Sequence, residues 1–174
     1  RSAATLRSIH VSQNEKFAAH LGAFLSGNSM KAKNRLRAIT KRNRGVNVRK
    51  VMQEIKVYMT GWLNYYGIAS LKTKMREWDE WLRHRIRANI WKQWKKPKTK
   101  RKNLMKLGVP EYYAHMAANS RRGYWFTVNT GAVTRGITKE RLTRAGFFEL
   151  SPAYESIQTA CIGRAVYRTV RTVR

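Results

Sequence analysis

The sequence predicts a mainly α protein, a small helical bundle followed by a smaller, helix-rich basic segment. Two stretches, about 47–66 and 71–95, carry apolar residues at intervals of three and four, the spacing of one helix face. Helix-ending Gly and Pro punctuate the chain at Gly45, Gly67, Pro97, Gly108 and Gly146. Hydrophobic residues make up 43% of 174 residues, enough for real cores in one domain or two small ones.

The elements follow in order. Ser12-Gln13-Asn14-Glu15 resembles a capping box before Phe17, Leu21, Phe24 and Leu25, with Gly27 placed to end that helix. The next helix, about 30–43, has a thin apolar edge of Ala32, Leu36 and Ile39. Its remaining surface carries Lys31, Lys33, Arg35, Arg37, Lys41 and Arg42. Asn43-Arg44-Gly45 is a turn. The helix at 47–66 lines up Val48, Val51, Met52, Ile55, Met59, Trp62 and Tyr66, and Gly67 serves as its C-cap. Gly61 lies inside this helix at a cost of about 1 kcal/mol relative to Ala; it either admits another backbone or is a mild defect.

The helix at 71–95 carries the strongest pattern. Leu71, Met75, Trp78, Leu82, Ile86, Ile90 and Trp94 form one apolar face, while Lys74, Trp81, Arg85, Lys92 and Lys95 form another. Trp81 and Trp91 are read as packed against neighbouring helices. The expected core markers are therefore Trp62, Tyr66, Trp78, Leu82, Ile86 and Trp94. Pro97 ends this helix, and Lys95-Lys96-Pro97-Lys98 reads as a linker. A short helix at 100–107 carries Lys100, Arg101, Lys102 and Lys106 and stops at Gly108. Residues 111–118 and 137–145 read as two further helices. Between them runs a basic loop into aromatics, Ser120-Arg121-Arg122-Gly123-Tyr124-Trp125. The last stretch alternates Arg164, Arg168, Arg171 and Arg174 with Val166, Val170 and Val173, as a basic helix or a frayed end. The expected organisation is an unassigned segment 1–29, a helical domain 30–96 and a basic segment 97–174.

Charge points to the partner. Between residues 31 and 106 stand 24 Lys and Arg against four acids, within a chain of net charge +28. Such density destabilises a compact fold unless a polyanion neutralises it, and it exceeds what solubility needs. Basic residues interleaved with Trp and Tyr suit phosphates with bases or sugars exposed between them, so the expected partner is nucleic acid.

The acids limit the chemistry. Asp79 is the only aspartate among nine acids, and it sits with Glu77 and Glu80 between two tryptophans. Clustered carboxylates are what a two-metal polymerase or nuclease site needs. These three are read instead as partners of Arg76, Arg83 and neighbouring helices. His10, His20, His84 and His115 lack metal-ligand spacing, and Cys161 has no nearby His. No phosphate loop of the Walker type occurs. No cofactor and no catalytic residue are expected, and the chain reads as a binder.

Gly61-Trp62-Leu63-Asn64-Tyr65-Tyr66 is followed by Trp78-Asp79-Glu80-Trp81-Leu82-Arg83-His84-Arg85-Ile86-Arg87. Ile90-Trp91-Lys92-Gln93-Trp94-Lys95, then Asn103-Leu104-Met105-Lys106-Leu107-Gly108, then Ser120-Arg121-Arg122-Gly123-Tyr124-Trp125 complete the series. In this order and spacing they resemble the C-terminal part of group II intron reverse transcriptase/maturases, over roughly residues 30–150. The resemblance implies a maturase or thumb (X) domain over 30–95 and a DNA-binding region over 98–150. It implies partners in structured intron RNA, a template–primer duplex or target DNA, and a polymerase palm. It also implies roles in splicing and retrohoming as part of a mobile element. His84 stands where the family usually has Arg. The palm's paired-aspartate motif has no match here, nor does the zinc-bound nuclease of some members.

The nucleic-acid contacts expected from residues and resemblance together are Lys31, Lys33, Arg35, Arg37, Lys41 and Arg42, then Lys74, Arg83, Arg85, Arg87, Lys92, Lys95, Lys96 and Lys98, then Lys100, Arg101, Lys102, Lys106, Arg121 and Arg122. Alternatives are a piece of a complete RNA-directed DNA polymerase acting with its palm, or a structural RNA-binding protein of ribosomal type. The chain opens on Arg1, as a piece of a longer protein would. The expected location is cytoplasmic and nucleoid-associated, or organellar, with no membrane span.

Overall fold

The computed structural model describes residues 27–67 and 69–160. The capping box at 12–15, His10, His20, Cys161 and the terminal Arg/Val alternation lie outside them. The described residues are helical throughout, with short turns between helices and no strand among them, as the periodicity predicts.

The chain groups into two compact units, Arg1–Ala38 and Ile39–Arg174. Among the described residues, helix α1 covers 27–39, all but the last of them in the first unit. Gly27 is itself helical, and the helix it was expected to close lies outside the described residues. Ala32 and Leu36 are buried, while Lys31, Arg35 and Arg37 are exposed and Lys33 is half-buried. This is the thin apolar edge and broad cationic surface that the spacing predicts.

In the second unit, a 3₁₀ turn at Arg42–Arg44 leads into α2, Val48–Tyr66. Asn47 caps α2, its side-chain oxygen accepting from the Arg49 N–H at 2.9 Å. Val48, Val51, Met52, Ile55, Met59, Trp62 and Leu63 are all buried, so the 3.6-residue pattern becomes the core. Arg44 pins the turn through two bonds to Glu54, at 2.7 and 3.1 Å, and one to the Ile39 carbonyl at 2.6 Å. The Gly67 N–H closes α2 on the Leu63 carbonyl at 2.7 Å. A Cβ added at Gly61 would meet nothing within 4 Å, so no backbone approaches there.

Helix α3, Lys72–Gln93, packs on α2. Trp78 lies 5.5 Å from Trp62 and Trp62 lies 4.9 Å from Tyr66, ring centre to ring centre. Met75, Trp78, Leu82 and Ile86 are buried as expected. Beyond Ile86 the buried face rotates: Ala88, Asn89 and Trp91 are enclosed, while Ile90 and Trp94 are half-buried. The cause is packing from a new side. Asn89 donates to the Thr40 carbonyl at 3.0 Å, and Lys100 of the next helix covers Trp91. Trp94 is thus less enclosed than a core marker, and Tyr66 is half-buried too.

Pro97 starts a helix rather than a linker, occupying the first turn of α4, Pro97–Lys106. There its missing N–H costs nothing. Gly108, at φ 81°, reverses the chain in the left-handed region that glycine tolerates. Helix α5, Glu111–Ala118, packs on α4 through a face of small residues, Ala114, Ala117 and Ala118. Short helices α6 (Tyr124–Thr127), α7 (Gly131–Gly136) and α8 (Lys139–Arg144) follow. α6 packs on α3, and α7 on α4 and α5. A Cβ at Gly136 would stand 2.9 Å from Leu104 Cδ2 and 3.2 Å from Val109 Cγ2, so a larger residue would force those side chains to shift.

The last described helix, α9, spans residues 150–160. Its N-terminus is capped from outside by Asp79 on α3. That carboxylate accepts from the Leu150 N–H (2.7 Å), the Ser151 N–H (2.9 Å) and the Ser151 hydroxyl (2.6 Å). Tyr154 on α9 donates to the Ala69 carbonyl at 2.7 Å and accepts from the Leu71 N–H at 3.1 Å. Helix α9 is thus fastened both to α3 and to the α2–α3 connection.

Candidate nucleic-acid interface

The expected binding cations divide by what their side chains touch. Lys41, Arg42, Lys95, Lys96, Lys98, Lys102, Lys106, Arg121 and Arg122 are exposed in the second unit; Lys74 and Arg83 are half-buried. Others have internal duties. Arg85 donates through Nε to Thr40 Oγ1 and lies 5.1 Å over the Trp81 ring. Arg87 donates to the Ile137 carbonyl at 2.9 Å. Burial lowers its pKa, helped by the neighbouring Arg83, yet a guanidinium stays charged. Lys92 reaches Asn43 Oδ1, and Arg101 pairs with Glu111.

Lys100 departs from the expected surface role. It shares a face with Leu104, one turn on, and is 9% exposed. Its ammonium lies 5.0 Å from the Trp91 ring centre and 5.3 Å from that of Tyr124. Burial pushes its pKa down, while two ring faces attract the cation. Arg42 stands 5.1 Å over the same Tyr124 ring. Arg42, Tyr124, Lys100 and Trp91 therefore alternate cation and aromatic from the surface inward, tying the 3₁₀ turn, α6, α4 and α3 together.

Beside this stack a hollow of roughly 260 Å³ is lined by Thr40, Lys41, Arg42, Asn43, Arg85 and Trp125, among others. Trp125 is 49% exposed. Its inner face meets His84, with ring centres 3.7 Å apart. His84 Nε2 is buried with no protein partner. Burial chiefly lowers the His84 pKa, and Arg87 and Arg85 add to that, while a hydrogen bond to the Trp125 backbone acts the other way. A neutral imidazole under Trp125 therefore fits a neighbourhood already crowded with guanidiniums. The hollow offers an exposed indole face, two exposed cations and hydrogen-bonding groups, suited to a phosphate backbone and a base or ribose.

Residues 29–108 match the family model of the group II intron, maturase-specific domain. No curated protein matches the chain. The maturase-specific stretch covers α1 to α4 with the Gly108 reversal, and so includes Trp62, Trp78, Trp91 and most of the cations above. Such a domain implies a maturase role in group II intron splicing. Residues 109–160, with Tyr124 and Trp125, lie beyond the match.

The acidic trio takes no part in a metal site among the described residues; Asp79 is an α9 cap, where arginine partners were expected. No helix of the described residues is long and apolar enough to cross a membrane. Sequence reading passed over Tyr113, Met116 and Phe126, which the structure leaves exposed. Their signal was a cluster of aromatics within 112–126 with no apolar periodicity to bury them.

Proposed function

We propose that this chain is the RNA-binding maturase, or thumb, part of a group II intron reverse transcriptase. It holds structured intron RNA in its splicing-competent fold and makes and breaks no bonds. The single observation that carries this reading is the family match over 29–108, a stretch where Trp62, Trp78 and Trp91 are buried and most of the Lys and Arg are exposed or half-buried. Exposed cations on a rigid helical frame release condensed counterions on binding, and the frame fixes where they contact the phosphates. Structured RNA is then read by shape, by 2′-hydroxyl groups and by unpaired bases. The exposed Arg121, Arg122, Tyr124 and Trp125 extend that surface beyond the matched stretch, and a template–primer duplex or target DNA is their proposed partner. The polymerase palm is the proposed protein partner.

The test compares binding of the purified chain to a folded group II intron, to its separate domains and to an unrelated structured RNA of equal length. The intron or one of its domains binds at least tenfold tighter than the unrelated RNA. Equal affinity for all would instead support a general structural RNA-binding protein. Primer extension by the purified chain gives no incorporation; extension free of contaminating polymerase would make it an enzyme.

A further inference from the structure

A groove of roughly 630 Å³ opens along α5 and the α6–α7 turn, beyond the matched stretch. Tyr113, Met116 and Phe126 line it and are 50%, 57% and 50% exposed. Small residues, among them Ala117 and Gly131, leave the space open. Two cations complete the lining, Arg122 and Arg135, and no carboxylate does. The Arg122 guanidinium lies 4.3 Å over the Phe126 ring, so it covers one face of that ring and the two stack as one cation–π platform.

Each feature narrows the occupant. The half-exposed Tyr113 ring and the guanidinium stacked on Phe126 favour a flat π-surface. A cationic rim without any acid favours an anion attached to it. The volume falls within the roughly 300–1,000 Å³ range of small-ligand sites. A duplex keeps its bases stacked inside and presents none at such a groove, whereas an unpaired nucleotide supplies base and phosphate together.

We infer that this groove takes an unpaired nucleotide of a single strand, its base against Tyr113 and the Phe126–Arg122 platform and its phosphate on Arg122 and Arg135. The inference rests on the nucleic-acid reading above and shares Arg122 with that surface, but concerns a groove beyond the matched stretch. It assigns Tyr113 and Phe126 to base recognition, which charge alone does not supply.

The test uses fluorescence anisotropy with the full chain and four probes: a labelled 12-nucleotide oligoadenylate, its deoxy counterpart, an abasic strand of equal length and a blunt duplex. One stacked base contributes about 1–3 kcal/mol, so a base-bearing strand binds roughly 5- to 150-fold tighter than the abasic one. The ribo and deoxy arms tell which strand the groove prefers. Phe126→Ala and Tyr113→Ala, both at exposed positions, remove most of that preference, leaving abasic affinity and melting temperature unchanged. Phe126→Tyr restores it. Equal binding of abasic and base-bearing strands by the wild type overturns the inference, as does a preference that survives both alanine variants. An acidic amphipathic peptide whose binding depends on Phe126, without any base preference, marks a protein site instead and equally overturns it. Intron RNA binding that persists in the groove variants leaves the maturase reading standing. Base preference without any intron affinity leaves only the groove.

Discussion

In α2 and α3 three tryptophans face inward, Trp62, Trp78 and Trp91 being 8%, 3% and 3% exposed, while Tyr65 on the outer side of α2 stays 71% exposed. In α5 and α6 the reverse holds, and Tyr112, Tyr113, Trp125 and Phe126 are 68%, 50%, 49% and 50% exposed. The first region has two long helices whose apolar faces meet, so rings there bury a large area and hold the fold. The second is made of helices of eight and four residues, too short to enclose a wide ring. Its interior uses Ala114, Ala117, Ala118, Val128 and Val133 instead. The same residue types therefore serve packing in one place and stand ready for stacking in another, and whether a neighbouring helix covers the ring's face decides which.

Mutations can break this contrast. Trp78→Ala removes a ring buried against Trp62 and lowers stability by about 3–5 kcal/mol, read as a loss of cooperative thermal unfolding. Phe126→Ala changes stability by less than about 1 kcal/mol, since half its surface is already in water. If the two variants melt alike, the division of aromatics is wrong.

Next comes the joint between the regions. Asp79→Ala strips three hydrogen bonds from the start of α9 and orphans two N–H groups. The expected loss is about 2 kcal/mol. Hydrogen exchange should rise first in residues 150–160, ahead of α2 and α3. Protection that falls evenly across the chain would show that Asp79 is no local cap.

A smaller effect attaches to His84, where α3 meets α6. Burial lowers its pKa below the ordinary 6.5, so the folded protein binds that proton less readily than the unfolded chain. Stability is thus fully present above pH 6.5 and declines as pH falls from there toward the depressed folded value. Melting at pH 7.5 and 5.5 measures this. His84→Gln flattens the dependence; a wild type that becomes more stable on acidification contradicts it.

How much was legible follows from the same contrast. Periodicity over 47–66 and 71–86 named the buried positions, because two long helices bury one continuous stripe each. It failed past Ile86, where the Thr40 carbonyl and Lys100 approach α3 from a different side and enclose Asn89 and Trp91 rather than Ile90 and Trp94. Lys100 read as a surface cation because a sequence does not show which ring a long side chain will cover. Asp79 read as an arginine partner because its true partners, backbone N–H groups at 150 and 151, lie some seventy residues away in sequence. The exposed rings of 112–126 were visible as a cluster but had no pattern to say that they stay uncovered.

The smallest expected effect on the fold comes from the cations. Lys95, Lys96 and Lys98 are exposed, so replacing all three with Ala shifts stability by no more than about 0.5 kcal/mol while weakening RNA binding. A much lower melting temperature would mean that these lysines hold the fold.

The most direct measurement is a salt titration of binding to folded group II intron RNA. If the cationic exterior neutralises six to ten phosphates, affinity falls about 10³–10⁵-fold between 50 and 200 mM salt. The same titration on the Lys95/Lys96/Lys98 variant gives a shallower slope. A nearly flat wild-type titration would contradict the account, since binding would then owe little to the charge that dominates this sequence.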